Sequence, residues 1–173
     1  RYDEPSGPEQ RFVDAIVHLA SHKCTSVDEL RISDKVAWTA AGGVQGEFVG
    51  FLTVEIILEA GPSAFHTVNG GTYWGANQRL TGCCTARIRI DRQASKRAGS
   101  PFAAGLPAQA MFIGCGLPLY DPRRDSTVPG GSGPHRVDDQ STWQWADGSV
   151  ELGSNLVLQA LAWRLGWRIN GEV

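Results

Sequence analysis

The sequence predicts a mainly β (α+β) domain, an antiparallel β-barrel or sandwich that ends in a C-terminal helix. The 173 residues include 21 glycines, which indicate many turns and favour strands over a helical bundle. Two segments, 46–59 and 85–91, alternate apolar and polar side chains as strands with one buried face do. One segment near the C-terminus, 155–164, has the apolar spacing of a helix.

The first half of the chain contains the first predicted strands. Residues 12–24 stay ambiguous, because their apolar positions fit a helical face as well as a strand. Residues 27–38 predict a hairpin of two short strands around a Ser33-Asp34 turn. Residues 46–59 form the strongest predicted strand, and its inward face would carry Phe48, Leu52, Val54, Ile56 and Leu58.

The second half adds two strands and the helix. In 85–91 the isoleucines would face inward, and Arg87 and Arg89 would face solvent or a partner. Residues 108–116 predict another apolar strand. The helix would take Ser154 as its N-cap and stop at Gly166.

A long polar loop runs from Gly116 to Trp145 and includes several prolines. Loops of this length inside a compact domain are usually functional or disordered. We expect residues 130–133, Gly-Gly-Ser-Gly, to be a flexible apex, and deletion of 128–134 to leave the fold intact but to impair assembly. The loop charges nearly cancel, which favours salt bridges to a neighbouring chain: Arg123, Arg124 and Arg136 oppose Asp121, Asp125, Asp138 and Asp139.

Composition excludes several classes of function. The net charge of -2 argues against a general nucleic-acid binder and a basic membrane-surface module. The longest apolar run, 48–58, is shorter than the roughly 20 residues that a membrane-spanning helix needs. The four cysteines lack the spacing of a disulfide scaffold, so we expect reduced thiols in a protein that folds in the cytosol. No secretory signal is recognised, and the N-terminal Arg suggests a fragment of a longer protein.

Candidate metal and catalytic groups are weak. On a helix His18 and His22 would share a face and could bind a metal ion. On a strand these two histidines and Cys24 would share a face but extend over about 20 Å, too far for one ion. His66 and His135 could serve as acid–base groups, yet none of the common hydrolase or phosphate-loop motifs is present. We therefore predict no metal, no cofactor and no enzyme activity, and keep a histidine-dependent hydrolase as a competing interpretation.

Tryptophan is concentrated near the C-terminus, and this leaves two interpretations open. The side chains could be core residues, or they could anchor a subunit interface, where Trp and Arg are enriched. The residues concerned are Trp143, Trp145, Trp163 and Trp167.

Several motifs, taken in order, resemble a known family. The stretch L-Y-D-P-R-R-D through T-W-Q-W, followed by N-L-V-L-Q-A-L-A-W, is similar to the tail tip attachment or central tail hub proteins of lambda-like long-tailed bacteriophages, the host-specificity protein J family. Three upstream stretches agree: T-S-V-D-E-L-R-I-S-D-K-V-A-W, W-G-A-N-Q-R-L-T-G and P-F-A-A-G-L-P. The resemblance covers about residues 25–170 and favours a strand over 12–24. The chain departs from the pattern by extra residues between Asp147 and Asn155 and by a missing proline.

The resemblance implies a structural role. The whole chain, 1–173, would be an N-terminal hub region of tail-tube type, with an optional subdivision into a β domain over 1–116 and the loop, Trp-rich segment and helix over 117–173. It would form a homotrimer at the distal end of the tail tube, bind distal tail and tail tube proteins, and support host attachment and DNA passage without reading a nucleic-acid sequence. It would be assembled in the host cytoplasm and located in the virion tail tip.

The loop is the predicted interface of this assembly. The residues that we expect at subunit contacts are Tyr120, Asp121, Arg123, Arg124, Asp125, His135, Arg136, Trp143 and Trp145. The alternative function is a β-rich carbohydrate-binding module, which would use Tyr73, Trp74, Trp143 and Trp145 as exposed aromatic platforms.

Overall fold

The computed structural model describes residues 2–3, 12–92, 99–103, 107–147, 150–151 and 153–166. The chain divides into two compact units, Arg1–Gly114 and Cys115–Val173. We call them the sandwich unit and the loop-helix unit. The boundary lies close to the optional subdivision at residue 116 that the sequence suggested.

Two antiparallel sheets form the sandwich unit. In chain order its strands are β1 (Tyr2–Asp3), β2 (Phe12–Ala20), β3 (Ser26–Ile32), β4 (Lys35–Thr39), β5 (Gly43–Val44), β6 (Leu52–Ile57), β7 (Cys84–Asp91) and β8 (Ala110–Cys115). The first sheet has the order β1-β2-β7-β6, and the second has the order β5-β4-β3-β8.

The apolar core joins residues from both sheets. Leu30 and Ile32 of β3 belong to one buried cluster with Leu52 of β6 and Ile88 and Ile90 of β7. Cross-strand pairing aligns the inward positions, since Ile90 lies opposite both Val13 and Leu52. Two sheets that share a core face to face make a sandwich. The predicted mainly β fold is thus confirmed, and the described strands close no barrel.

The structure confirms the predicted Ser33-Asp34 turn and decides the segment that the residue pattern left ambiguous. Ser33 and Asp34 have positive φ values of 49° and 66°, as the two central residues of a type I′ hairpin turn require. The ambiguous segment 12–24 is a strand over Phe12–Ala20, β2, whose pairing with β7 shifts register between His18 and Ala20. The helical alternative for this segment is therefore wrong.

The predicted strand over 46–59 is shorter than expected. Gly46–Phe48 is a 3₁₀ turn, and the strand begins only at Leu52. Gly46 and Gly50 have φ values of 52° and 82°, a left-handed conformation that interrupts an extended chain. Phe48 still enters the sandwich core, because the turn returns its side chain to that side.

In the described part of the loop-helix unit there is a short hairpin and one α-helix. The hairpin pairs β9 (Ala146–Asp147) with β10 (Val150–Glu151), and helix α1 is Leu156–Leu165. Asn155, and not the predicted Ser154, is the N-cap: its side chain accepts hydrogen bonds from the amides of Val157 and Leu158 at 3.0 and 3.3 Å. The helix ends at Gly166, as predicted. Among the described residues, no helix has the length and apolarity needed to cross a bilayer.

Candidate functional site

The loop from Gly116 to Trp145 is closed at its base. Leu119 and Gln144 exchange two backbone hydrogen bonds, of 2.9 and 3.3 Å, near its two ends. Two 3₁₀ turns, 122–124 and 140–142, begin where Asp121 and Asp139 accept a hydrogen bond from the backbone amide two residues later. The loop is therefore built as an ordered substructure with its own local caps.

Asp125 is the centre of the loop. Its buried carboxylate accepts the Tyr120 hydroxyl at 2.7 Å, the Thr127 hydroxyl at 2.6 Å and the Thr127 amide at 2.8 Å, and Arg136 Nη1 lies at 3.3 Å. Donors aimed at a carboxylate favour its charged form. The Thr127 hydroxyl, then the Thr127 amide, Tyr120 and Arg136 lower the pKa of Asp125 to about 2. Burial, reinforced by Asp125, raises the pKa of Tyr120 to about 12.

Asp121 connects the two halves of the loop. Its carboxylate accepts Arg123 Nε at 2.9 Å and Nη2 at 2.7 Å, a bidentate pair that holds the pKa of Asp121 below its usual value. Its backbone amide donates to Nδ1 of the buried His135 at 3.0 Å. An accepting Nδ1 carries no proton, so this imidazole is neutral with its proton on Nε2. Burial lowers the pKa of His135 in the same sense.

An aromatic cluster packs beside this network. The Trp143 ring lies 5.8 Å from that of Tyr120, and the His135 ring lies 6.3 Å from Tyr120 on centroid distances. The Trp143 indole N–H donates to the Arg136 carbonyl at 2.8 Å. Trp143 is 6% exposed, so this tryptophan belongs to the interior of the loop-helix unit and does not offer a face for stacking on a sugar.

The nine predicted interface residues lie together, but most serve the loop itself. Five of them are buried: Tyr120, Asp121, Asp125, His135 and Trp143. The acid–base pairs that we expected across a subunit boundary form within the loop, as Asp121 with Arg123 and Asp125 with Arg136. Arg124, Arg136 and Trp145 are partly buried, and Arg123 is the exposed one of the nine. Contact of this region with a neighbouring chain stays a prediction.

The glycine-rich segment is packed, contrary to the flexible apex that we expected. A β-carbon on Gly131 would lie 2.2 Å from the Asp125 carbonyl oxygen and 2.6 Å from that of Pro122. The amide of Ser132 donates to the Arg123 carbonyl at 2.9 Å, and Arg136 reaches the Gly133 carbonyl at 3.2 Å. Deleting 128–134 would remove these contacts, so it would damage the unit and could not separate assembly from folding.

A second ionic group covers the outer face of the first sheet. Arg87 Nε lies 2.6 Å from Asp14 and its Nη1 lies 3.2 Å from Glu55, which in turn lies 3.5 Å from Nδ1 of His66. The Arg89 guanidinium lies 4.4 Å from the centre of the Phe12 ring. Arg87 was expected to face solvent or a partner chain, and the solvent alternative is wrong: its side chain is 11% exposed and its ion-pair partner Asp14 is fully buried.

The remaining candidate residues are not assembled into a catalytic or metal site. His66 and His135 are 3% and 0% exposed, and burial lowers the pKa of His66. His22 Nδ1 donates to the Lys23 carbonyl at 2.8 Å, and His18 lies 3.4 Å from the Ser21 hydroxyl. Within the described ranges, no three His, Cys, Asp or Glu side chains are placed to share a metal ion.

Two exposed apolar surfaces were missed by the sequence analysis. The first, the apolar edge, comprises Met111 and Ile113, each 42% exposed. Both residues belong to β8, which lies at the edge of the second sheet among the described strands. The second, the apolar helix face, comprises Leu156, Val157 and Trp163 of α1, which are 78%, 75% and 79% exposed. The sequence of α1 carried the available signal: Gln159 and Arg164 are its only polar residues, and a helix that is apolar on most sides is normally covered.

Comparison with known proteins adds no assignment: the chain matches no family model, no curated protein and no solved structure.

Proposed function

We propose that this chain is a structural component of a bacteriophage tail tip, part of the hub that closes the distal end of the tail tube. The observation that carries the proposal is the apolar helix face, where Leu156, Val157 and Trp163 are each at least three-quarters exposed. Contiguous exposed apolar side chains mark protein contact sites more often than scattered ones do. The apolar edge adds a second surface suited to another protein chain.

The loop network supports a structural role from a different direction. The carboxylates of Asp121 and Asp125 accept their hydrogen bonds from neighbours inside the loop. A carboxylate held this way is fixed as an anion and is poorly suited to exchange protons near neutral pH. The motif Y-D-P-R, which carries much of the family resemblance, thus acts here as a folding element of the loop.

In this proposal the chain forms a homotrimer and binds distal tail and tail tube proteins. Closed rings use heterologous contacts, in which two different patches of each copy meet. The apolar edge and the apolar helix face are two such different patches. The net charge of -2 agrees with a DNA conduit, because strong positive charge would retain phosphates during DNA passage.

The test is the mass of the purified chain in solution, by light scattering coupled to gel filtration, alone and with candidate tail proteins. We expect a trimer or a stable complex. Trp163→Glu should weaken the affinity of that association by about tenfold or more, because it places a charge in the contact. The circular dichroism spectrum should stay unchanged. Arg164→Gln is the matched control at the next, also exposed, position and should assemble normally.

The outcome that overturns the proposal is a monomer at high concentration that binds no tail protein. If that monomer binds glycans on an array, the carbohydrate-binding module replaces the hub as the better interpretation.

A further inference from the structure

Three chain segments meet at the start of β7. The amide of Cys84 donates to the His22 carbonyl at 3.1 Å, and two residues later the amide of Cys24 donates to the Leu58 carbonyl at 3.1 Å. His22 lies on the β2 side of β7, and Leu58 follows β6 on the other side. The chain from 22 to 24 therefore crosses over the first residue of β7.

This crossing brings two cysteines together inside the sandwich. Cys24 and Cys84 are 8% and 0% exposed, and with Val27 they form one buried cluster, against which Trp38 packs. Cys84 occupies an inward position of β7, in phase with Ala86 and Ile88. Both cysteines are free thiols in the structure.

The electrostatics of Cys84 agree with this contact. Burial first, and then the neighbouring Cys24 thiol, raise the pKa of Cys84 to about 12. A thiol so protonated is a poor nucleophile in the folded state. In an unfolded chain the same thiol would have its ordinary pKa of about 8.5.

We propose that Cys24 and Cys84 form an intramolecular disulfide when the chain folds in the presence of a small-molecule disulfide such as oxidised glutathione. The bond would join β7 of the first sheet to the segment that leads into β3 of the second. It would thereby link the two sheets directly through the core. A chain that folds under reducing conditions keeps both thiols, as in the structure.

The reaction balances by thiol–disulfide exchange. One protein thiolate, for example that of Cys24, attacks the glutathione disulfide and releases one glutathione thiolate. The Cys84 thiolate then attacks the Cys24 sulfur, forms the Sγ–Sγ bond and releases the second glutathione. Two electrons pass from the two cysteines to glutathione, and the two thiol protons end on the released glutathione molecules.

The experiment uses the full chain carrying Cys83→Ser and Cys115→Ser, so that only the proposed pair remains. The protein is refolded from denaturant in oxidised and reduced glutathione, then denatured, blocked with N-ethylmaleimide, and analysed as intact mass and as peptides. We expect a monomeric species about 2 Da lighter than the reduced chain, with neither thiol blocked. The midpoint temperature of thermal unfolding, Tm, should rise by about 5–15 °C relative to a sample treated with dithiothreitol, because the bond closes a long loop.

A matched variant distinguishes the bond from general effects of the redox buffer. Adding Cys24→Ala to the same background should remove the mass change and the dithiothreitol-dependent shift together. The wild-type chain should give a linked Cys24–Cys84 peptide, although Cys83 and Cys115 are more exposed. The proposal is overturned if both thiols of the folded variant are blocked by N-ethylmaleimide after denaturation, or if the wild-type chain links any other pair. Either result leaves the proposed tail-tip function untouched, since that function depends on other surfaces.

Discussion

The apolar core of the sandwich unit and the polar network of the loop bury different chemistry. In the sandwich unit the core consists of apolar side chains such as Leu30, Phe48 and Ile88. In the loop-helix unit the fully buried large side chains include Asp121, Asp125 and His135, and the apolar cluster is small, namely Leu119, Leu158 and Ala162.

This difference predicts different modes of failure. Apolar burial is nondirectional, so a core of this kind tolerates changes that conserve volume and loses stability in proportion to the area removed. A buried polar network is stable only when each donor and acceptor is satisfied, so it depends on geometry and on protonation. The apolar core of the sandwich unit should therefore respond to changes of side-chain volume, and the loop network to changes of shape and pH.

The largest effect is expected in the sandwich core. Leu30→Ala should lower the free energy of unfolding by about 3–4 kcal/mol, because Leu30 is fully buried and the cavity would be lined by the facing sheet. Urea unfolding measures the loss, and hydrogen exchange should assign it to β3, β4, β6 and β7. Val49→Ala, at a position 59% exposed, is the control and should change stability by less than about 0.5 kcal/mol. Equal losses in the two variants would contradict the assignment of the core.

A steric change should be nearly as damaging in the loop. Gly131→Ala should lower stability by about 2–3 kcal/mol, because the new β-carbon would overlap two backbone carbonyls that cannot rotate away. Hydrogen exchange should show the loss in 116–145 and leave the sandwich strands protected. Gly130→Ala is the matched neighbour: its φ is 81° but nothing lies near its β-carbon, so about 1–2 kcal/mol of backbone strain is expected. A loop that tolerates Gly131→Ala better than Gly130→Ala would show that the packing is not as described.

Removing one hydroxyl tests the network itself. Tyr120→Phe deletes the donor to Asp125 and keeps the ring that packs on Trp143. We expect a loss of about 2 kcal/mol, since the hydrogen bond is buried and its acceptor is charged. Thr127→Val removes another donor to the same carboxylate from an exposed position, where water can replace it, and should cost less. Chemical denaturation followed by tryptophan fluorescence would compare them, and a neutral Tyr120→Phe would show that Asp125 does not need this donor.

Both units should lose stability as the pH falls, but the loop-helix unit should lose it in two steps. Because burial lowers the pKa of His135, the unfolded chain binds a proton first, and stability should fall as pH decreases below about 6.5. The lowered pKa values of Asp121 and Asp125 should cause a second loss from about pH 4 downward. Hydrogen exchange at pH 7, 5 and 3, corrected for the intrinsic rate, should show the loop losing protection in both steps. In the sandwich unit, His66 should cause a loss of stability over the same pH range as the first step in the loop, because burial lowers its pKa as well. His135→Asn should therefore weaken the first step in the loop and leave that of the sandwich unit unchanged.

Much of the fold followed from local pattern. Alternation identified β6 and β7, and the Ser33-Asp34 turn was recognised from residue types that accept a left-handed backbone. The shortening of the 46–59 strand was not predicted, because apolar side chains continue through a turn that Gly46 and Gly50 create. The N-cap was misplaced by one residue, since Ser154 and Asn155 are both competent caps and the choice depends on where the preceding chain enters.

The sequence predicted which residues lie together better than it predicted what those residues contact. The grouping of Tyr120, Asp125 and Arg136 was anticipated, but their partners were expected on another chain. A sequence does not distinguish a salt bridge within a loop from one across an interface, because both require the same residue types. The exposure of Met111 was unpredictable for a related reason: it depends on β8 being at the end of its sheet.

The paired ends of the loop have a consequence for protein engineering. Leu119 and Gln144 lie side by side, so everything between them leaves and re-enters the fold at one place. A segment attached in this way can be exchanged for another of different length without changing the distance between the elements that flank it. Since the caps and the Asp125 network are local to the segment, it should also keep its shape when transplanted onto a hairpin of an unrelated scaffold.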